Sequence, residues 1–202
     1  GWLETCRELV FNRLPKKIDE LDYFLSENEI IRARCEGAGV LTGDAAVKYS
    51  AAGPVLRGSG VAYDVRRAEP YSIYDRFEFD VAVRNHGDVY DRYLIRLDEI
   101  RQSIRILQQA LNQIPAGEIQ TGKKQYSARV PAGQAYGRVE GPKGELGFYV
   151  VSDGTANPYR YHIRAPSFIN LTALGPMSIG QKIADAVIIL GSIDIVLGET
   201  DR

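Results

Sequence analysis

Apolar side chains recur at three- and four-residue steps through residues 2–36: Leu3, Leu9, Val10, Leu14, Ile18, Leu21, Phe24 and Leu25, with Lys and Glu between them. That period predicts helix. Pro15 is expected to start a second helix or to kink the first. Ser26 is expected to cap a further short helix through Arg34. Thr42-Gly43-Asp44-Ala45-Ala46 reads as one more short helix start. Over residues 50–76 no period survives, yet tyrosines and apolar residues are too frequent for disorder, so an ordered loop is expected. Phe77, Phe79, Val81 and Val83 then alternate with Glu78, Asp80 and Ala82, which predicts a short strand.

The clearest element runs from about Asp88 to Ile114. Tyr93, Leu97, Ile100, Ile104, Leu107, Leu111 and Ile114 follow steps of 4, 3, 4, 3, 4, 3, a seven-residue seam. Asp88 is the expected N-cap and Pro115 follows the end. The helix should span about 40 Å. A coiled-coil dimer would use such a seam, but apolar Leu94, Ile106 and Ala110 beside it suit an intramolecular bundle better. Residues 135–140 and 146–151 flank the turn cluster Gly141-Pro142-Lys143-Gly144, which predicts an antiparallel hairpin. Tyr159, Tyr161 and Ile163 alternate with Arg160, His162 and Arg164 as a third strand. Ser167 is expected to cap a helix through Leu174, and Ser178 another through Leu190. Apolar residues near the end, in GSIDIVLGETDR, predict a docked tail.

The pattern as a whole is α+β: a helical bundle with a long central helix plus a small antiparallel β-sheet. It reads as a single domain over 1–202, helical to about 118, β over about 120–165, with C-terminal helices and tail over 166–202. Twenty-five basic and 26 acidic residues nearly cancel, so no nucleic-acid partner is expected. Two separated cysteines, Cys6 and Cys35, predict neither a disulfide framework nor a cysteine-held metal, and read as reduced thiols of an intracellular protein. The strongly apolar stretch Ala184 to Leu190 is too short to cross a bilayer. The chain opens on Gly1 and an apolar, helix-like run, which reads as a start inside a longer protein.

Autonomous chemistry is sparse. No HExxH, Walker loop, Gly-x-Ser-x-Gly elbow or GxGxxG after a strand occurs. His86, between Asn85 and Gly87, suits a turn; His162 suits a sheet surface. Arg57, Tyr63, Asp64, Arg66, Tyr74, Asp75 and Arg76, with Arg67 and Tyr71, form a dense polar cluster. It reads either as the wall of a binding cavity or as a network holding the long loop, and the local pattern favours the network.

Several words of the chain resemble a known family. Residues 53–66, GPVLRGSGVAYDVR, resemble a segment of the D subunit of proton-pumping NADH:quinone oxidoreductase, respiratory complex I. EPYSIYDRFEFDV (69–81), GDVYDRYLIRLDEIRQS (87–103), EGPKGELGFYVVSDG (140–154), IRAPSFINL (163–171) and DIVLGETDR (194–202) follow in the family's order. The resemblance covers essentially the whole chain and implies the C-terminal half of a protein about twice as long. That family is similar in turn to the [NiFe]-hydrogenase large subunit: EGPKG resembles EAPRG there. The hydrogenase motif Asp-Pro-Cys-x-x-Cys falls on Asp194 to Glu199, with Val196 and Glu199 where cysteines would stand. Nickel and iron in such sites need thiolates, so no metal is expected.

The resemblance implies a hydrogenase-like fold and a place in the quinone-reducing module. Electrons from NADH would pass through FMN and iron–sulfur clusters held by partner subunits, with no cofactor bound by this chain. Quinone would be reduced at the contact with the small iron–sulfur subunit, the missing N-terminal half supplying headgroup ligands. Asp194, Val196 and Arg202 are the expected quinone-cavity residues, although Val196 suits core packing equally well. Asp194 sits in an apolar run, so its charge needs a partner. The implied location is peripheral, on the cytoplasmic side of a bacterial inner membrane. A related cofactor-F420- or ferredoxin-linked complex, or a purely structural scaffold, is the alternative.

Overall fold

The computed structural model describes residues 1–120, 122 and 129–201. The chain begins with α1 (Trp2–Arg7), which runs through a π-helical stretch, Glu8–Arg13, into α2 (Leu14–Leu25). Pro15 explains the widened turns. It has no N–H to give Phe11 and its ring crowds that carbonyl, and a π turn ahead of it relieves the clash without breaking the helix. Next come α3 (Glu29–Cys35), α4 (Gly43–Lys48), α5 (Pro54–Gly58) and α6 (Val65–Ala68). Asn28, not Ser26, caps α3, accepting from Ile30 and Ile31 N–H. Ser26 instead ends α2 and bonds Asp22 and Tyr93. Thr42 caps α4 as expected.

The long helix α7 (Val89–Gln113) begins at Asp88, whose carboxylate accepts from Asp91 N–H at 2.8 Å. Its seam is covered only in places. Leu97, Ile104 and Leu111 are buried, whereas Ile100, Leu107 and Ile114 are exposed. Ile95 and Ile106, off the seam, are buried instead, because neighbours pack α7 from several directions. Val10 joins Ile104 and Leu111 on one side, with Cys6 beside them. Phe77 and Phe79 cover Ile106 on another. The main core lies between α4, α5 and the start of α7 on one side and the C-terminal helices on the other, centred on Leu41, Val55, Val89, Met177 and Ile189. Both cysteines are free thiols.

Residues 77–84 form no strand. The alternation is real, with Phe77 and Phe79 buried and Glu78 and Asp80 exposed, but the partner is a helix. Gln109 Oε1 accepts from Glu78 N–H at 2.9 Å and Gln102 Oε1 from Asp80 N–H at 3.0 Å. Side-chain amides satisfy the extended backbone in place of a neighbouring strand.

The sheet is antiparallel in the order β1 (Gly133–Gly141), β2 (Gly144–Ser152), β3 (Arg160–Arg164). Gly141 faces Gly144 across the two-residue turn Pro142-Lys143. The chain ends with α8 (Pro166–Asn170), α9 (Leu174–Ser178), α10 (Ile183–Ile193) and α11 (Leu197–Thr200). Pro166 takes the first turn of α8, a place that suits its fixed φ, so Ser167 is not the cap. No helix among the described residues is long and apolar enough to cross a membrane.

Candidate functional site

The long loop and the hairpin turn are held back to back. Gly53 has φ 63°, and a Cβ there would lie 2.6 Å from Gly144 Cα. A Cβ on Gly144, at φ 129°, would lie 2.7 Å from the backbone carbon of Ala52. Glycine is required on both sides of this contact. Asn170, buried on α8, clamps it. Its Oδ1 accepts from Ala52 N–H at 2.9 Å, and its Nδ2 donates to Ala52 O at 3.3 Å and Lys143 O at 3.2 Å.

Beside this junction Arg57 is 2% exposed. Its Nε donates to Glu99 Oε1 at 2.7 Å, and Nη1 donates to Glu140 Oε1 at 2.8 Å and Tyr63 O at 2.9 Å. Asp64 Oδ2 stands 4.0 Å away. Burial works against the guanidinium charge, but Glu99 and Glu140 together outweigh it and raise its pKa. Burial pushes Glu140 above the usual carboxylate range; Arg57 opposes this and Asp64 adds to it. Burial also pushes Asp64 upward, yet the bonds and charge of Arg66, with Arg57, leave it below its usual value. Asp64 caps α6 through Arg66 N–H and takes the Arg66 guanidinium as well. Arg66 and Arg67 lie over the Phe79 ring at 4.9 and 4.0 Å, and Arg66 also lies 6.0 Å from the Tyr74 ring. Asp75 and Arg76 sit exposed on the next 3-10 turn, apart from the Arg57 group.

The tail reaches the same place from the other side. Asp194 ends α10 in the left-handed conformation, φ 62° and ψ 55°, which is uncommon for a residue with a Cβ. Its Oδ2 pairs with Lys143 Nζ and lies 3.4 Å from Arg96 Nε. Arg92 is wholly buried on neutral acceptors: Ser192 Oγ at 2.8 Å, Gly87 O at 2.7 Å and Gly39 O at 2.8 Å. Burial, then the neighbouring Arg96 charge, brings its pKa down to about 10. Farther on, Glu199 accepts from Ser167 N–H at 3.0 Å and from its hydroxyl, and Ser167 Oγ accepts from Val196 N–H at 3.2 Å. Among the described residues no cluster of three or more His, Cys, Asp or Glu side chains is placed to hold a metal ion.

Two concavities meet at Asp194. One, of about 380 Å³, gathers the charged side chains Arg57, Arg66, Glu99, Glu140, Arg96 and Asp194 over an apolar lining that includes Ile100 and Pro142. The other, of about 480 Å³, is a more apolar groove between α7 and α10, where Val89, Tyr93 and Ile188 accompany Arg96 and Asp194. Of the tail residues expected at the site, Asp194 borders both. Val196 lines neither and is 45% exposed. Arg202 lies outside the described residues. The polar loop residues Arg57 and Arg66 line the charged cavity. His86 lies elsewhere, its exposed ring directed by buried Asp91 at 3.1 Å. Sequence reasoning missed Arg92 and Arg96. The available signal was two arginines four apart near the start of a helix with an apolar seam.

The whole chain matches the family model of the respiratory-chain NADH dehydrogenase 49 Kd subunit, through residues 1–129 and 123–202. It is 57% identical over 196 residues to a D subunit of the NADH-quinone oxidoreductase of Roseiflexus sp. (strain RS-1), covering 94% of this chain and 52% of that protein. The corresponding protein of Herpetosiphon aurantiacus is 55% identical over 204 residues, covering 100% and 55%. That of Dehalococcoides mccartyi (strain ATCC BAA-2100) is 55% identical over 195 residues, covering 96% and 53%. The chain spans about half the length of the curated relatives it matches. It belongs to the family of the 49 Kd subunit of respiratory-chain NADH dehydrogenase.

Proposed function

We propose that this chain forms the C-terminal wall of a quinone cavity in the quinone-reducing module of an NADH:quinone oxidoreductase. The observation that carries the reading is Asp194: a carboxylate held at a strained helix end, bordering an apolar groove, with exposed Val196 and Leu197 following it. A quinone is flat, neutral and amphipathic, and an apolar wall with sparse polar groups suits it. The names of the relatives support the assignment.

In this reading quinone takes two electrons and two protons to become quinol. The electrons come from NADH by way of FMN and iron–sulfur clusters in partner subunits, the last of them in a small neighbour that packs against this chain. This chain binds none of those groups. It shapes the cavity and fixes charges around the headgroup. The subunit then works as a peripheral protein on the cytoplasmic side of the membrane that carries the complex.

The test uses the full-length protein assembled in membranes, with quinone reduction measured per assembled complex. Asp194→Asn is expected to lower the rate at unchanged complex abundance, and Val196→Met to alter the response to quinone-site inhibitors. Unchanged specific activity and inhibitor response in both variants would remove the tail from the quinone site.

A further inference from the structure

Arg92 and Arg96 stand one turn apart on α7 and both reach the C-terminal end of α10. Arg96 is tied down by its terminal nitrogens. Nη1 donates to Arg92 O at 2.7 Å, and Nη2 to Ser192 O at 2.7 Å and Ile193 O at 3.3 Å. Nε is left over. It is a buried donor without a hydrogen bond, the one such side-chain atom among the described residues, and burying a donor unsatisfied is costly. The nearest carboxylate oxygen is Asp194 Oδ2 at 3.4 Å, within ion-pair reach but not bonded.

That same oxygen is engaged by Lys143 Nζ. One carboxylate oxygen therefore has two cationic partners, Lys143 hydrogen-bonded and Arg96 Nε ion-paired at 3.4 Å without a hydrogen bond. The two differ in kind. The lysine ammonium is a point charge on a flexible stem, whereas the Arg96 guanidinium is held in plane by carbonyls. Shortening 3.4 Å to hydrogen-bond length takes a shift of about half an ångström. Asp194 and Arg96 also border both concavities, so a ligand in the groove lies beside this pair.

We propose that Arg96 is a positioning residue for Asp194, its Nε being the second seat to which the carboxylate passes when a ligand enters the groove between α7 and α10. The inference rests on the reading that Asp194 borders the quinone cavity. In the first seat the carboxylate neutralises Lys143. In the second, Asp194 gives up its hydrogen bond to Lys143 and stays ionically paired with Arg96. The exchange makes and breaks hydrogen bonds alone.

The experiment is a cycle of Arg96→Lys, Asp194→Asn and the double variant in the full-length protein, assembled in the complex, with kcat and KM for quinone measured per complex. Arg96→Lys keeps the charge but loses Nε together with the terminal nitrogens that bond Arg92, Ser192 and Ile193, so the coupling to Asp194 in the double variant is what reads the Nε role. Arg96→Lys is expected to lower kcat roughly five- to tenfold with KM moved by less than about twofold, and the double variant is expected to be no slower than Asp194→Asn alone. An unchanged kcat in Asp194→Asn would overturn this role, and the quinone reading falls with it if Val196→Met also leaves activity and inhibitor response unchanged. A lowered kcat in Asp194→Asn, joined to an unaffected Arg96→Lys or to losses that multiply in the double variant, would overturn the Arg96 role and leave the quinone reading standing. If the lysine variant reduces assembly, Arg96→Gln is read by the same cycle with the same outcomes.

Discussion

Lys143, at the tip of the β1–β2 hairpin, forms an ion pair with Asp194, 51 residues later at the end of α10. The pair joins two segments that resemble hydrogenase metal-site motifs. Where the resembling enzymes have cysteines, this chain has Val196 and a Glu199 bonded to Ser167.

Asn170→Ala should destabilise the protein by about 2–3 kcal/mol, since the backbone groups of Ala52 and the Lys143 carbonyl lose buried partners. Urea unfolding of the full-length protein measures it. A loss under about 0.5 kcal/mol would show that the clamp carries no weight.

The glycine contact makes a sharper contrast. Gly53→Ala and Gly144→Ala each force a Cβ into backbone at under 3 Å and at positive φ, whereas a Cβ on Gly137 in β1 meets nothing within 4 Å. The first two should cost roughly 3 kcal/mol or prevent folding; Gly137→Ala should stay within about 0.5 kcal/mol of the parent. Soluble yield and the melting temperature of the three variants decide.

Arg57→Met should cost about 3–5 kcal/mol, because it strands the Glu99 and Glu140 carboxylates, whereas Asp64 keeps its Arg66 partner. The pH dependence has a defined sign. Glu140 has a folded pKa above the ordinary 4.5, so its contribution is full below that value and fades as pH rises through the folded one. Asp64 has a folded pKa below the ordinary 3.8, so its contribution is present above 3.8 and is lost as pH falls through the folded one. Urea stability measured across the acid range should therefore drop less in Glu140→Gln than in the parent as pH rises toward neutral. Identical pH curves for the two proteins would refute the assignment.

Gln102→Ala and Gln109→Ala should speed hydrogen exchange at the Asp80 and Glu78 amides respectively, each with a loss of about 1 kcal/mol. Exchange unchanged at those two amides would mean that water serves the segment equally well.

That segment marks a boundary of what the amino-acid order reveals. Alternation at Phe77 and Phe79 reports one buried face and is silent on whether the backbone meets a strand or a row of glutamines. The α7 helix and the Pro142-Lys143 hairpin were legible because period, Asp88 cap and turn residues are local. The cap of α3 lies two residues beyond its expected place, since Ser26 and Asn28 are both good caps and tertiary bonds to Asp22 and Tyr93 claim Ser26. At the site, Asp194 was reachable through resemblance and through its charge in an apolar run. Its partners were not, because Lys143 and Arg96 meet it only across long sequence separations that no periodicity encodes.

The two arginines of α7 also settle how α10 can move. Arg92 Nε reads the Ser192 hydroxyl, and Arg96 reads the last carbonyls of that helix. A slip of α10 by one residue, about 1.5 Å along its axis, would break these bonds together, while the bonds of Arg92 to Gly87 and Gly39 and of Arg96 to Arg92 would hold both guanidinium groups in place. The helix is therefore indexed to α7 like a key in a ward. Sliding of α10 along α7 is thus opposed at Ser192 and Ile193, in the turn just before Asp194.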